Sequence, residues 1–478
     1  MQNEVEKTTI GQECLVTCQT SQGTLLRANC LRLTRHVAVF EVYSPGTVLL
    51  ISEVLSDFNL ILKDAKIYSG QAVVKKLVST GLVEVCEVEL GDGWLDVDLF
   101  IGLADKNHLP EAFRGYIQDW QRQYLVLPEF KVHIADMQMF FMELRLWLDQ
   151  VELGIRAAPV GDRTQLEQEI TAQLAASAIP HIDGLFEKFE ELAEGLEEGS
   201  KPLHRAYMKR QLHPLVLCSP FAYRTFAKPL GYAGDYEVVN MIARKAHEGG
   251  SLFAKVVNCW FLHQPPAQAH RNRIDYLTQK IFDETLRARA RRKPVRIFDV
   301  ACGPALQVQS FLRKWDLCNQ TEVSLLDFNQ ETLEHVSSAL EEIKRKHART
   351  VPLHFIKKSV YQVMKEAGKI TNRSVDSQFD FVYCAGLFDY LPDPVCQRLM
   401  NIMYQWLAPG GLLLATNVDA CNPLRAGMDF LLDWRLVYRT AQQALALRPA
   451  AAPPELVSVK SDDTGVNLFI EARKPEDA

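Results

Sequence analysis

The sequence lacks the features that define several protein classes. Its eleven cysteines include no pair at CxxC spacing, so they indicate neither a zinc site nor a disulfide framework. No apolar run approaches the roughly 20 residues that span a bilayer, and residues 1–13 are polar, without the apolar core of a signal peptide. We therefore expect a cytoplasmic protein with reduced thiols, no metal site and no stable membrane insertion.

The sequence also has no excess of positive charge. Its formal net charge is -6 at pH 7, whereas a dedicated nucleic-acid binder would have a basic face. We therefore expect no nucleic-acid partner. Hydrophobic residues make up 47% and charged residues 23% of the chain, as in ordinary globular proteins. Because 478 residues exceed the usual size of one domain, we expect more than one.

Three regions differ in their pattern. Residues 1–125 contain short segments rich in Val, Leu and Ile between turn residues, which predicts a small β-barrel-like domain. These segments are 24–33, 37–43, 47–51, 60–62, 72–77 and 82–89. Residues 126–290 have helical periodicity, with helices predicted at 137–153, 163–176, 181–196 and 203–217. Residues 291–478 alternate between strands and helices, which predicts an α/β domain.

The C-terminal region is organised around residues 295–312. An apolar segment that carries Asp299 is followed by a turn of small residues, 301–305, and then by a segment with helical periodicity. Strand, small-residue turn and helix begin a nucleotide-binding α/β unit, because small residues let a ligand approach the backbone. Further strands are predicted at 322–326, 353–357, 379–384, 412–418, 456–460 and 466–472, and helices at 330–346, 394–406 and 424–447. This alternation predicts a mostly parallel, doubly wound sheet.

Two features indicate the kind of nucleotide. Asp327 ends the next strand after that of Asp299, where a carboxylate can accept hydrogen bonds from both ribose hydroxyls. A dinucleotide site would usually also have a GxGxxG turn for the pyrophosphate. Here the turn reads ACGPA and lacks the third glycine. The expected ligand therefore has a ribose but no diphosphate.

Together with the later segment FDFVYCAGLFDYL and a PGG turn before a strand, these motifs resemble the class I S-adenosylmethionine-dependent methyltransferases from about residue 294 onward. The resemblance implies a Rossmann-like domain with seven strands and S-adenosylmethionine as the cofactor. It places residues 299–303 at the methionine part, Asp327 at the ribose and Phe328 beside the adenine. The cofactor-binding residues that it implies are Asp299, Ala301, Cys302, Gly303, Asp327, Phe328, Ser359, Val360, Cys384, Ala385 and Gly386.

A closer resemblance joins the segment KPLGYAGDYEVVNMI to the CGPA turn and to FLLDWRLVYRT. Together they resemble the bacterial methyltransferases of 3-hydroxypalmitic acid methyl ester synthesis, which make a cell-density (quorum-sensing) signal. That family also has a helical region ahead of its methyltransferase domain. The resemblance implies O-methylation of the carboxylate of a 3-hydroxy fatty acid. The apolar residues around Trp434 would suit either an acyl chain or the core.

The acceptor site is expected to draw on the helical region. A carboxylate is ionised at pH 7, so its methylation requires alignment and partial desolvation rather than a strong base. The GYAGDY loop could aim Tyr232 and Asp235 at a ligand, because Gly231 and Gly234 allow special turns. Candidates for binding the carboxylate are Tyr232, His263, Arg271, Arg273, Tyr390 and Arg435, and the catalytic candidates are Tyr232, Asp235, His263, Arg273 and Tyr390. The alternative for each candidate is a surface ion pair or a core hydrogen bond.

The β-rich region resembles a PilZ-type barrel, the bacterial cyclic-di-GMP receptor module, in its strand rhythm and in the segments LRLTRH and ISEVLSDFNLIL. A binding PilZ domain has an RxxxR element, but His36 stands four residues after Arg32. The D/N-x-S-x-x-G element is also missing after Ser56 and Asp57. We therefore expect no cyclic-di-GMP site, and either a structural domain or a docking site for a protein partner.

Two other functions remain open. One is a regulatory or scaffold protein whose methyltransferase fold senses the cofactor, although Asp299, Gly303 and Asp327 argue against a relic fold. The other is methylation of a protein, a nucleic acid or another small molecule. CAGLFDYL stands where methyltransferases of base amino groups have an (N/D)PPY-type motif, and the acidic net charge also disfavours nucleic acid.

Overall fold

The computed structural model describes residues 14–34, 36–42, 49–62, 65–79, 84–91, 110, 113–114, 117, 126–159, 161, 163–291, 294–367 and 378–476. The polar segment 1–13 and residues 47–48 of a predicted strand lie outside these ranges. Within them, no helix is long and apolar enough to cross a membrane, and no group of three His, Cys, Asp or Glu side chains could hold a metal ion.

The N-terminal region is a closed, antiparallel barrel of six strands, which confirms the predicted barrel. Its strands are β1 (Cys14–Gln19), β2 (Leu25–Leu33), β3 (Val37–Val42), β4 (Val54–Leu62), β5 (Ala65–Ser79) and β6 (Glu84–Leu90). Side chains alternate between buried and exposed along β2, as expected when one face of a strand covers a core. Phe40 and Phe58 meet inside the barrel, with ring centroids 6.0 Å apart.

The predicted strand at 47–51 is wrong for residues 49–51, which form a loop before β4. The N–H of Leu50 donates to the Glu53 carboxylate, and that of Ile51 donates to the Tyr390 carbonyl. Neither N–H group takes part in the strand pairing of the barrel. The hydrogen bond to Tyr390 joins this loop to the rest of the chain.

Helices follow the barrel, and from residue 126 to residue 290 the described residues form seven of them. They are α1 (Pro128–Ala157), α2 (Arg163–Glu194), α3 (Lys201–Val216), α4 (Pro220–Ala227), α5 (Tyr236–Arg244), α6 (Leu252–His263) and α7 (Pro265–Ala288). The prediction of two helices at 163–176 and 181–196 is wrong, because α2 runs through Pro180. A proline removes one backbone donor from a helix. Here the buried stripe of Ala175, Ile182 and Phe186 continues on both sides of Pro180, and α2 packs along α1 and α6.

The C-terminal region contains a seven-stranded sheet in the order β12-β13-β11-β10-β7-β8-β9, as predicted. Its strands are β7 (Val295–Val300), β8 (Thr321–Asp327), β9 (Leu353–Lys357), β10 (Phe379–Cys384), β11 (Leu407–Val418), β12 (Val457–Ser461) and β13 (Asn467–Arg473). The pairings of β13 with β11 and β12 are antiparallel, and the others are parallel. The strand order reverses between β7 and β10, and ligands of such sheets bind beyond the carboxyl ends of strands at that point.

The remaining helices are α8 (Leu306–Lys314), α9 (Gln330–His347), α10 (Val360–Ala367), α11 (Asp393–Gln405), α12 (Arg425–Leu432) and α13 (Ala441–Ala446), with short 3₁₀ turns at Asp316–Gln320, Phe388–Tyr390 and Pro454–Leu456. The single helix predicted at 424–447 is therefore wrong. Asp433 ends α12 in the left-handed region, with φ 50°. Ser52 and Lys228 then donate hydrogen bonds to the Asp433 carbonyl, which holds the following segment extended.

Buried ionic side chains join the three regions of the chain. Arg205 of α3 is 1% exposed and donates to Glu89 of the barrel at 2.7 Å and to Asp429 of α12 at 2.8 Å. Arg435 binds the same two carboxylates. Removing one member would leave a buried charge uncompensated, so the cluster fixes how the barrel sits on the other two regions.

Candidate functional site

A cleft lies beyond the carboxyl ends of β7, β8 and β10, and it encloses about 1300 Å³ of empty space, part of it open to solvent. The sequence-predicted residues in its wall are Tyr232, Arg273, Ala301, Cys302, Gly303, Asp327, Phe328, Val360, Ala385, Gly386 and Tyr390. Segments far apart in the chain therefore meet at the sheet edge where the topology places a ligand.

The turn after β7 has an unusual backbone. Ala301, Gly303 and Ala305 all have positive φ, at 59°, 52° and 48°. For the two alanines this conformation costs about 1–2 kcal/mol each. The Cys302 N–H donates to the Leu326 carbonyl at 2.9 Å, which ties the turn to the end of β8. A Cβ on Gly303 would meet no atom within 4 Å, so this part of the turn borders open space.

Asp327 connects the turn to the next strand. Its two carboxylate oxygens accept from the backbone N–H groups of Gly303 at 3.1 Å and Asn329 at 3.0 Å. Burial raises the pKa of Asp327 to about 6, against the opposing effect of these hydrogen bonds. Each carboxylate oxygen has a second lone pair, so Asp327 can still accept further hydrogen bonds from a ligand.

Asp299 lies beneath the same turn, and the structure does not place it in the cleft wall. Its Oδ2 accepts from Tyr383 at 2.9 Å and from Gln307 at 3.0 Å. Its Oδ1 is buried without a hydrogen-bond partner among the described residues. Burial raises the pKa of Asp299 to about 8. A buried carboxyl oxygen without a partner is costly, and a cationic or hydrogen-donating ligand group would relieve that cost.

Residues that follow β10 form another part of the cleft wall. Gly386 has φ 89°, and its N–H donates to Thr416 Oγ1 at 2.9 Å. Cys384 is the last residue of β10 and is buried outside the wall itself. Ser359 also lies outside the wall, in a polar groove next to it, where its hydroxyl accepts from the Gln362 N–H.

The two candidate side chains of the GYAGDY loop have different positions, one in the cleft wall and one at the start of α5. Tyr232 lines the cleft with its ring 5.6 Å from that of Phe328, and burial raises the pKa of its hydroxyl. Asp235 does not line the cleft. Its carboxylate caps α5 through the N–H groups of Glu237 and Val238 and forms an ion pair with Arg224.

Arg273 is a buried cation in the cleft wall, with 7% of its surface exposed. It forms no hydrogen bond or ion pair with any residue that the structure describes. Burial lowers its pKa, and the charge of Asp389 opposes that shift. Its guanidinium lies against Gly386, where an added Cβ would approach Nη1 to 3.1 Å. A buried guanidinium with free donors is suited to binding an anion.

The other acceptor candidates lie elsewhere. His263 is at the end of α6, outside the cleft wall, and its Nδ1 bonds the Cys259 carbonyl. Arg271 bonds Gln268 and the Ile242 carbonyl. Arg435 belongs to the ionic cluster around Glu89. These three side chains are engaged in structural contacts.

Sequence reasoning missed His270, which lies one helical turn before Arg273 on α7 and lines the cleft. Burial lowers the pKa of His270 to about 3, so the imidazole is neutral. Its Nδ1 is 2.9 Å from the Pro266 carbonyl, an acceptor only, so Nδ1 carries the proton. Nε2 is then a hydrogen-bond acceptor. The spacing of three residues from Arg273 is the sequence signal that could have identified it.

A second, apolar cavity adjoins the cleft at His270 and Trp434, which line both. It encloses about 500 Å³ of empty space, part of it open to solvent. Trp434 is held in place by a hydrogen bond from its Nε1 to the Tyr390 hydroxyl at 2.9 Å. The rest of the wall is mainly apolar, and includes Phe186, Phe221, Trp260, Phe261, Met428, Leu431 and Leu432. Such a wall is suited to a hydrocarbon group.

Part of the chain is similar to known proteins. Residues 297–411 match a family model described as a methyltransferase domain. Among solved structures, a possible exported protein from Bordetella parapertussis is 17% identical with a TM-score of 0.39, over 63% of this chain and 97% of that one. Magnesium protoporphyrin IX methyltransferase from Synechocystis PCC 6803 is 11% identical with a TM-score of 0.33, over 50% and 95%.

N-methyltransferase NodS from Bradyrhizobium japonicum WM9 is 14% identical with a TM-score of 0.29, over 45% of this chain and 92% of that one. Similarities this distant support no inference about chemistry. No curated protein matches the chain. The domain match spans the turn after β7, Asp327 and the end of β10, which line the cleft at one edge of the sheet. The chain thus contains a methyltransferase domain at residues 297–411, by the family model that these residues match.

Proposed function

We propose that this protein is a class I S-adenosylmethionine-dependent methyltransferase that methylates the carboxylate of a 3-hydroxy fatty acid, or of a similar acyl molecule, and produces a methyl ester signal. When bound, S-adenosylmethionine supplies an electrophilic methyl group on a sulfonium. The buried, unpartnered Oδ1 of Asp299 and the open space over Gly303 fit the amino acid end of that cofactor. Asp327 would accept from the ribose hydroxyls, with Phe328 and Val360 beside the adenine.

Arg273 is the single observation that carries the choice of a carboxylate. It is a buried guanidinium without a hydrogen bond or ion pair among the described residues. Two parallel N–H groups of a guanidinium match the two oxygens of a carboxylate. The cation would also orient the bound carboxylate, so that one oxygen faces the cofactor edge at Gly386.

His270 and the apolar cavity support the rest of the acceptor. From Arg273, one turn of α7 leads to His270, and the apolar cavity begins there. Nε2 of His270 can accept a hydrogen bond from a hydroxyl close to the carboxylate. The hydrocarbon chain would then continue past Trp434 into the cavity.

The residues around the cleft would promote the reaction by alignment and exclusion of water. A fatty acid carboxylate is already ionised at pH 7, so no residue must remove a proton. Tyr232, Leu50 and Trp434 enclose the reacting region and reduce its contact with solvent. We propose that Tyr232 and Tyr390 shape this wall, and that Asp235 acts indirectly by capping α5.

Purified protein should convert 3-hydroxy fatty acids of different chain length to methyl esters in the presence of S-adenosylmethionine. Liquid chromatography with mass spectrometry would quantify the ester and S-adenosylhomocysteine from the same reaction. Equal amounts of the two products are expected, and Arg273→Met should lose most of both. Binding of S-adenosylhomocysteine without turnover of any acyl acid would contradict the proposed acceptor and would favour a protein that senses the cofactor.

A further inference from the structure

The N-terminal barrel contributes directly to the wall of the cleft. Gln22 lies in the turn between β1 and β2, Leu50 lies in the loop before β4, and both line the cleft. These are the only barrel residues in the wall among the parts of the chain that the structure describes. The barrel is therefore placed where it can influence what the cleft binds.

Glu53 holds these two barrel segments together. It is fully buried, and burial raises its pKa against the effect of its hydrogen bonds. One carboxylate oxygen accepts from the N–H and the hydroxyl of Ser21, at 2.8 and 2.6 Å. The other accepts from the Leu50 N–H at 2.8 Å. A single buried carboxylate thus fixes the turn that carries Gln22 relative to the loop that carries Leu50.

The same segments are attached to the helical region and to the C-terminal domain. The Val54 N–H donates to the Gly231 carbonyl at 2.8 Å, and the Ile51 N–H donates to the Tyr390 carbonyl at 3.1 Å. Gly231 has φ 88°, and a Cβ there would lie 2.5 Å from Ser21 Cβ. The GYAGDY loop therefore approaches the barrel so closely that only glycine fits at this position.

Gln22 lies at the end of the cleft that contains Phe328, where the proposed function places the nucleoside. It also borders the polar groove outside the wall, together with Phe328, Asn329 and Lys358. Its carboxamide forms no hydrogen bond with any residue that the structure describes. A carboxamide offers one acceptor and one donor side by side, and this pair matches the 6-amino group and the adjacent ring nitrogen of adenine.

From this placement we infer that the barrel is part of the cofactor site and that Gln22 binds the adenine of S-adenosylmethionine through its carboxamide. The cofactor edge of the sheet supplies the ribose and methionine contacts, and the barrel supplies a contact to the base. The inference rests on the proposed cofactor and holds whichever acceptor the enzyme methylates.

Calorimetry with S-adenosylhomocysteine and its purine analogue, which has hydrogen in place of the 6-amino group, tests the inference on the full chain. The purine analogue keeps the ring nitrogen but has no amino donor for the carboxamide oxygen. Wild-type protein should bind the adenosine form more tightly. Gln22→Ala should weaken that form roughly 5- to 10-fold and weaken the purine analogue less, so that the preference falls.

Gln71→Ala is the matched control, because Gln71 is an exposed glutamine of β5 outside the cleft wall. It should retain the wild-type affinities for both compounds. If Gln22→Ala keeps the wild-type preference for the adenosine form, Gln22 does not contact the base and the inference is overturned. Equal weakening of both compounds would likewise overturn it, since that result would mean a structural effect on the whole site.

Discussion

The proposed cofactor half and the proposed acceptor half of the cleft are built in different ways. The cofactor half consists of residues at the ends of adjacent strands, with the turn after β7 and Asp327 tied together by backbone hydrogen bonds. The acceptor half brings together Arg273 of α7, Trp434 after α12 and Leu50 of the barrel. The first half follows from local chain geometry, whereas the second depends on the packing of all three regions.

This difference has a consequence for specificity. Backbone hydrogen bonds tie the proposed cofactor half to the sheet, so its residues can change little without disturbing the fold. Helices and loops that cover a sheet tolerate change more easily. The acceptor half is therefore where the chain can adapt to a particular substrate, and substitutions should separate the two halves in binding experiments.

Asp327→Ala should have the largest effect, because it removes the charged acceptor of both proposed ribose hydrogen bonds. Hydrogen bonds to charged groups contribute about 1.5–3 kcal/mol each, so the affinity for S-adenosylhomocysteine should fall roughly 100-fold or more. Calorimetry would measure the loss. Asp327→Asn keeps one acceptor oxygen and should be intermediate. An affinity within threefold of wild type for Asp327→Ala would refute the role of this residue.

The sequence could predict which segments meet at this edge of the sheet because its signals are local. Asp299, the small-residue turn and Asp327 follow each other along consecutive strands, and the strand order brings them to one edge. The barrel, the sheet and most helices were predicted for the same reason, since alternation and periodicity are local patterns. The continuous α2 and the extended segment after Asp433 were not, because Pro180 and an apolar run indicate local preferences that distant packing overrides.

The acceptor half shows the limit of prediction from sequence. Arg273, Arg271 and His263 were equivalent candidates in the sequence, and only the packed structure distinguishes a cation in the cleft from side chains engaged elsewhere. His270 was missed because its importance lies in a hydrogen bond to Pro266 that fixes its tautomer. The proposed contact of Gln22 with adenine depends on how the barrel packs against Gly231. No local sequence pattern predicts that packing.

Arg273→Met should have the next largest effect, and it should fall on the acceptor half alone. Loss of the charged hydrogen bonds is expected to raise KM for the acyl acid roughly 10- to 100-fold. The affinity for S-adenosylhomocysteine should remain within about twofold of wild type. Arg271→Met, on the same helix but bound to Gln268, serves as the control for steady-state kinetics. An unchanged KM would place the carboxylate elsewhere.

His270→Phe should have a smaller and more selective effect. It keeps an aromatic ring next to Trp434 but removes the Nε2 acceptor. A neutral hydrogen bond contributes about 0.5–1.5 kcal/mol, so the preference in kcat/KM for 3-hydroxy over unsubstituted fatty acids should fall at most about tenfold. His270→Gln retains an acceptor and should keep part of the preference. Competition between the two acids in one reaction, read by mass spectrometry, would detect the change, and a preserved ratio would show that His270 does not bind the hydroxyl.

The smallest expected effect is the release of a proton from Asp299 when the cofactor binds. It tests whether the Asp299 carboxylate binds the ammonium group of the cofactor. With its pKa raised to about 8, Asp299 is mostly protonated at pH 7 in the free enzyme. A cofactor ammonium at Oδ1 would lower that pKa, so binding should release most of a proton at pH 7, and the affinity for S-adenosylhomocysteine should rise roughly fivefold from pH 7 to pH 8. Calorimetry in phosphate and in Tris, whose ionisation heats differ, measures the release.

Asp299→Asn should remove both the proton release and the pH dependence above pH 7. The same group should also affect the stability of the free enzyme. Because its folded pKa is raised, the unfolded chain loses the Asp299 proton first, so this contribution to stability declines as the pH rises from about 4 to about 8. The melting temperature of Asp299→Asn should therefore depend less on pH in that window. If binding releases no proton while the melting temperature shows this dependence, Asp299 is a buried acid of the fold, and the amino group of the cofactor binds to the backbone of the turn instead.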